Sequence, residues 1–199
     1  MIYGRLKIVL SMLSGIKEKD KLLDIGPSPN FTILLNTPRC RKYAVDMAPT
    51  KIKGVILKKG DLNAERIPFP SNSFDYVVCT EVIEHLWNPD NLLSEINRVL
   101  KTSGVLVLST PNSASLFNRI RMLFGRSPGC SMISLREHPG GHIRCYTLLD
   151  LVYLLEKYGF KIKEIRGSES NSVLDLRNLI ACVPELSTYL ILKVEKRKG

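Results

Sequence analysis

The chain has 199 residues, 44% of them hydrophobic and 24% charged, an ordinary globular balance with enough length for one domain and a real core. No apolar run approaches the roughly 18–20 residues that span a bilayer. Met1 to Leu13 carries Arg5 and Lys7 and no small-residue cleavage site, so it reads as an amphipathic first helix of a soluble, cytoplasmic protein rather than a leader. The net charge of +10 points to an anionic partner (nucleic acid, anionic lipid or a phosphorylated substrate) or to a solvated lysine-rich surface.

Residues 2–14 place Ile2, Leu6, Val9, Leu10 and Leu13 on one helical face, and Gly15 ends that helix. Leu22 to Ile25 is a first strand, and a helix from Phe31 to Leu35 follows the Pro-Ser-Pro-Asn loop. Tyr43 to Asp46 and Val55 to Asp61 are a second and a third strand. After the proline-rich turn Ile67 to Ser73, Phe74 to Thr80 is a fourth, apolar enough to be buried on both faces. Asn88-Pro89 opens a helix, with Asn as N-cap and Pro at the first helical position. Val105 to Ser109 is a fifth strand. Residues 148–158 form a helix closed by Gly159, Phe160 to Ile165 a sixth strand, Val173 to Cys182 a helix and Leu186 to Val194 a last strand. This alternation predicts an α/β protein, a mainly parallel sheet with helices on both faces, in one domain spanning residues 1–199. Residues 111–146 fall outside that core pattern and are expected to be a lid or insert on the acceptor side. The five cysteines (Cys40, Cys79, Cys130, Cys145, Cys182) include no CxxC pair, which argues against structural zinc and fits a reducing compartment.

Asp24, Asp46 and Asp61 each close a predicted strand at the same edge of the sheet. In open α/β sheets that edge binds ligands, and an acid about 20 residues after the first strand reaches ribose hydroxyls. Asp46 stands at that distance, and Asp61 is then placed to take an adenine amine. A dinucleotide site would show G-x-G-x-x-G, whereas this loop has only Gly26 between Ile25 and Pro27, which argues for a ligand without phosphates.

Leu-Leu-Asp-Ile-Gly, Ala-Val-Asp-Met, Gly-Asp-Leu, Ile-Pro-Phe-Pro-Ser-Asn-Ser-Phe-Asp and Glu-Val-Ile-Glu-His-Leu follow in the order and spacing of the class I S-adenosylmethionine-dependent methyltransferases, which the chain resembles over residues 20–112. The resemblance implies a Rossmann-like seven-stranded sheet with an antiparallel last strand. It implies cofactor contacts from Asp24, Gly26, Pro27, Ser28, Asp46, Met47, Asp61, Leu62, Thr80 and Glu81. The family's later loop glycines are replaced here by Ser28 and Asn30, which keeps a non-catalytic cofactor-binding protein among the alternatives.

The acceptor is narrowed by what is missing. No Asn/Asp-Pro-Pro-Tyr/Phe follows the fourth strand, which argues against methylation of base amino groups, and nucleic acid is the less favoured partner. Glu81, Glu84 and His85 would share one face if helical, and two carboxylates with an imidazole suit a divalent metal such as Mg2+ or Mn2+. The same E-x-x-E-H resembles small-RNA 2′-O-methyltransferases and quinone-biosynthesis O-methyltransferases. His142 matches the later histidine that completes the metal site in the former. Glu84, His85 and His142 are accordingly the candidate catalytic groups, with His142 as pocket residue or general base; His138 reads as a surface loop residue. Leu116, Phe117, Ile120, Leu123 and Phe124 line one helical face beside Arg119, Arg121 and Arg126. Such a helix either folds its apolar face over the active site or lies on a membrane through residues 116–126. The leading expectation is O-methylation of a small or lipid-linked molecule, with RNA 2′-O-methylation as the alternative.

Overall fold

The computed structural model describes residues 4–28, 31–48, 50–63, 65–130, 142–169 and 182–198. Its centre is β1 (Lys21–Ile25), in which four consecutive residues are buried. Side chains alternate across a strand, so Leu23 and Ile25 join one core cluster while Leu22 joins the other. A strand buried on both faces needs helices above and below it. Below lies α1 (Gly4–Met12), whose Val9 and Met12 pack with Leu22, Val107 and Ile191. Above lie α3 (Pro89–Val99) and α5 (Leu148–Lys157), which bring Leu92, Leu93, Ile96, Leu151 and Leu155 onto Leu23, Val77 and Leu106. The short α2 (Thr32–Asn36) adds Ile33 and Leu34 to the lower cluster.

β2 (Arg41–Asp46) and β4 (Phe74–Thr80) flank β1 in parallel, with Asp24 opposite Ala44 and Val78. β3 (Val55–Lys59) pairs outside β2, and β5 (Leu100–Pro111) runs parallel to β4. β7 (Tyr189–Lys196) lies antiparallel between β5 and β6 (Phe160–Ser168), so the seven strands run in the order β3-β2-β1-β4-β5-β7-β6. The chain order reverses between β1 and β4, which places the topological switch point beside Asp24.

Local signals account for most boundaries. The Asn88 side chain accepts from the Asn91 amide at 3.0 Å and Pro89 takes the first helical position. Thr147 and Asp150 form a reciprocal capping box on α5, and Gly159 leaves that helix at φ 79°. The proline-rich turn is held by a buried ion pair. Glu95 accepts from the Ile67 amide at 2.9 Å and binds Arg98 at 2.6 Å, while Arg98 donates to the carbonyls of Ile67 and Phe69. Phe69 then packs edge-on against Tyr43 and Phe74.

Two strands are longer than their sequence pattern predicts: β5 and β6 gain residues because β5 is paired on both sides and β6 in a hairpin, while β7 starts three residues later than expected, at Tyr189, and runs on to Lys196. β3 is shorter and stops at Lys59, which leaves Asp61 in the following loop. Residues 173–181 of the expected helix, and His138, lie outside the described residues. All five cysteines are free, and Cys79 is a fully buried core residue. Among the described residues no helix is long and apolar enough to cross a membrane.

Candidate active site

The carboxyl ends of β1, β2 and β4 meet at the switch point, and main-chain hydrogen bonds join their loops. The Gly26 amide donates to the Val45 carbonyl at 2.9 Å, and the Gly60 amide to the Asp46 carbonyl at 3.1 Å. Gly26 sits at φ 61°, where a Cβ would lie 2.7 Å from Cγ2 of Val82. Only glycine lets the loop after β1 close against the loop after β4. Val82 is pressed there by its neighbour Glu81, itself in the left-handed region at φ 55°.

Asp24 is 1% exposed, and neither of its carboxylate oxygens has a hydrogen-bond partner among the described residues. Burial first, and the Asp46 charge second, push its carboxyl up to about 8. Asp46 is half-buried and accepts from the Ala48 amide at 2.8 Å, so one of its oxygens braces the turn it starts. Asp61 does the same for Asn63 at 2.9 Å. Pro27, Ser28 and Asp46, together with Phe31, Ala48 and Thr50, line a cavity of about 150 Å³. Ser28 also closes its own turn, its carbonyl accepting from the Phe31 amide at 2.8 Å and its hydroxyl from the Thr32 amide at 3.4 Å. Phe31, Ala48 and Thr50 carry no sequence signature; they enter through the turns, above all Phe31 at φ 47°. Met47 stands exposed beside them, and Thr80 ends β4. The Leu62 side chain is buried in the upper core with Ile67 and Phe69, and its carbonyl accepts from the Asn91 side chain at 3.3 Å.

A second group of residues sits across the edge from the acids. Ile83–His85 form a single 3-10 turn, not a longer helix, so Glu81 does not share a helical face with Glu84 and His85. Glu81 instead pairs with Arg5 of α1 at 2.9 Å and accepts from the Ser109 hydroxyl at 2.8 Å. Arg5 also stacks on Tyr189, 4.4 Å from its ring centre. Glu84 is buried; Oε2 accepts from Thr110 at 3.0 Å, while Oε1 has no hydrogen-bond partner among the described residues and faces Nε2 of His142 at 3.9 Å. Burial, then the neighbouring Glu81, push the Glu84 carboxyl up to about 8. Burial and the adjacent His85 hold His142 below the usual imidazole range, and the two rings meet edge-on at 4.9 Å. Ligand atoms of Glu84, His85 and His142 lie within 4.8 Å of one another, a group that does not include Glu81.

His142 is fixed by the chain around it. The amides of Ile143 and Arg144 both donate to the Glu84 carbonyl, at 3.0 and 3.1 Å. The Arg144 guanidinium donates to the carbonyls of Leu86 and Trp87. Asn112 bridges to Tyr146, and its amide group donates to the carbonyls of Glu185 and Ser187. The Cys145 thiol donates to the Cys130 carbonyl at 2.7 Å. Asn118 of α4 (Leu116–Leu123) donates to the Asn112 carbonyl, so α4 stands on the same rim. None of the α4 residues is buried; its apolar face is not folded inward.

The methyltransferase-domain family Methyltransf_23 matches residues 4–165. A Mycobacterium tuberculosis protein named as an S-adenosylmethionine-dependent methyltransferase is 48% identical over 117 residues, 57% of this chain and 40% of that protein. A rice protein named 2-methyl-6-phytyl-1,4-hydroquinone methyltransferase 2 is 31% identical over 106 residues, 47% of this chain and 30% of that protein. This chain therefore spans less than half the length of either relative. Among solved structures, a methyltransferase in complex with the Trm112 activator of Haloferax volcanii superposes with a TM-score of 0.71 at 15% identity, over 97% of this chain and 88% of that one. The YcgJ protein of Bacillus subtilis gives 0.68 at 17% identity over 98% of both chains, a likeness of fold. With its match over residues 4–165, its sheet order and its acid-lined switch point, the chain belongs to the class I S-adenosylmethionine-dependent methyltransferases.

Proposed function

We propose that the chain transfers a methyl group from S-adenosylmethionine to a hydroxyl of a small or lipid-linked acceptor. The observation that carries the reading is Asp24, whose two buried oxygens lack partners among the described residues and lie beside a second acid, Asp46. A buried, unpartnered carboxyl is costly unless a ligand completes it. A cationic amino-acid moiety suits it, and this cofactor carries one. Asp46 keeps an oxygen for the ribose diol at the mouth of the cavity that Pro27, Ser28 and Phe31 line. Asp61 and the main chain of Leu62 serve the adenine, and Gly26, Met47, Thr80 and Glu81 border the rest.

When bound, the cofactor supplies a methyl group on a sulfonium, open to in-line displacement. The chain's part is to hold the acceptor in line and to take its proton. His142 suits that task because its surroundings keep it neutral. Glu84, neutral at pH 7, is placed to orient His142 and hold no competing charge. An apolar-tailed acceptor is supported by one relative, named for a phytyl hydroquinone. Residues 111–146 are the segment we assign to the acceptor side.

A second reading rests on the clustering of Glu84, His85 and His142. An unpartnered carboxylate oxygen with neutral imidazole is a donor set that fits Mg2+ or Mn2+. There the three residues would hold an ion able to acidify an acceptor hydroxyl, including an RNA 2′-hydroxyl. The remaining alternative is a protein that binds the cofactor without turning it over.

Calorimetry with S-adenosylmethionine tests the main reading. Wild type should bind, and Asp46→Asn, which keeps an acceptor for the Ala48 amide, should lose at least about tenfold in affinity while remaining folded. Absence of binding by the wild type would overturn it. Titration with Mn2+ followed by its paramagnetic resonance tests the second; no binding that depends on Glu84 and His142 would remove the metal.

A further inference from the structure

α4 leaves the active-site rim with an unusual surface. Leu123 and Phe124 are 83% and 78% exposed, and Ile120 is 43% exposed on the same face. Large apolar side chains grouped this way mark a contact surface. They are presented by an anchored element. Ser115 caps the helix, Asn118 ties it to Asn112, and the Gly129 amide donates to Asn118 at 3.0 Å. Gly125, at φ 68°, stops the helix directly after the apolar pair.

The charged residues within and next to α4 in the sequence have one sign. Arg119, Arg121 and Arg126 are exposed beside it, and no acidic residue occurs in the sequence between Glu95 and Glu137. Arg119 donates through Nε to the Ala114 carbonyl at 2.7 Å, and Arg121 to the Ser127 carbonyl at 3.0 Å. One donor of each guanidinium is used to hold its position, which leaves the outer donors for an anion. Apolar tips beside exposed arginines, two of them held in place, are an arrangement suited to a headgroup layer, with hydrocarbon contact below and phosphate contact at the rim.

We propose that α4 seats the chain on an anionic lipid surface. Leu123 and Phe124 enter the headgroup region, and Arg119, Arg121 and Arg126 meet lipid phosphates. The proposal deepens the lipid-linked reading of the acceptor and rests on it for its purpose: α4 stands on the rim that carries Glu84 and His142, so a docked chain would open its acceptor side toward the bilayer.

Co-sedimentation with vesicles tests it. Binding to vesicles of phosphatidylcholine mixed with phosphatidylglycerol should exceed binding to phosphatidylcholine alone by at least about tenfold and weaken as salt rises. The double variant Leu123→Glu/Phe124→Glu should lose at least about tenfold in vesicle binding, with unchanged unfolding temperature and S-adenosylmethionine affinity. Arg119→Gln/Arg121→Gln/Arg126→Gln should do the same, and it reports independently if the first variant folds poorly. No vesicle binding, or binding that both variants retain, overturns the proposal; the latter result would trace the attraction to the basic surface at large. Wild-type dimers that the Leu123/Phe124 variant dissolves, without vesicle binding, would assign the face to a second copy. A wild type that binds the cofactor but no vesicles sinks the membrane reading alone, and a wild type that binds vesicles but no cofactor sinks the function while leaving the vesicle result standing.

Discussion

Nε2 of His142 stands 3.9 Å from Oε1 of Glu84, a separation too long for a hydrogen bond and closed by a shift of about one ångström. The carboxyl is uncharged at neutral pH, pushed up to about 8 from 4.5, and so is the imidazole. Asp24 is raised in the same way from 3.8 to about 8. A carboxyl whose folded pKa lies above its unfolded one binds more protons in the native state. Stability contributed this way is complete below the unfolded value and is lost as pH rises through the folded one. The ligand-free protein should therefore lose stability between about pH 4.5 and pH 8, by up to about 1.4 kcal/mol per pH unit for each group. Denaturant unfolding across that range checks this. Asp24→Asn/Glu84→Gln should flatten the profile and leave the variant at least as stable as wild type at the alkaline end.

Cofactor binding should carry a proton with it. Asp24 is protonated at pH 7 in the free protein, and a cationic group brought beside it favours the ionised form. Binding then releases a proton, and affinity rises with pH up to about 8. Calorimetry in buffers of different ionisation enthalpy measures the release directly. Asp24→Asn should abolish it.

Gly26→Ala should be destabilising by about 1–3 kcal/mol, because the backbone is at φ 61° and the new methyl meets Val82 at 2.7 Å. Adding Val82→Ala should return only the part due to the clash. The measurement is the denaturant midpoint of the single and double variants. A Gly26→Ala protein as stable as wild type would mean that the loop after β1 does not close against β4 as described.

Much of the fold was legible because its signals are local. Asp24 and Asp46 stand out at strand ends, and Asp61 just past one, whatever else the chain does, and Asn88-Pro89 marks a helix start by its own chemistry. The misreadings concern residues whose conformation is imposed from a distance. Glu81, Glu84 and His85 have helical spacing, but the left-handed backbone of Glu81, held against Ser109 and Arg5, breaks that face before a helix can form. The burial of the Leu62 side chain with Ile67 and Phe69 is likewise set by contacts that its place beside Asp61 does not announce. Thr110 and Phe31 reach the site through pairings that no local pattern encodes.

Glu95→Ala tests the clamp on the proline-rich turn. Its removal leaves the Ile67 amide without its acceptor and the Arg98 guanidinium without its counter-ion. A broken buried pair of this kind costs about 3 kcal/mol. Glu95→Gln should recover part of that through the Ile67 amide alone. Because Arg98 holds the Glu95 carboxyl below the usual range, this contribution is present at neutral pH and fades as pH falls through the depressed value, the opposite sense to Glu84 and Asp24.

The thiol of Cys145 resting on the carbonyl of Cys130 has a consequence for how this scaffold can diversify. It brings the two ends of residues 131–144 together within a hydrogen bond, so the ends are already joined whatever runs between them. Closing a loop between fixed ends costs only about 0.6 kcal/mol more each time its length doubles. An insertion between Cys130 and His142 would leave the anchors of Ile143 and Arg144 on Glu84, and of Tyr146 on Asn112, where they are. A change of chain length between Cys130 and His142 is therefore compatible with an unaltered sheet and an unmoved Glu84.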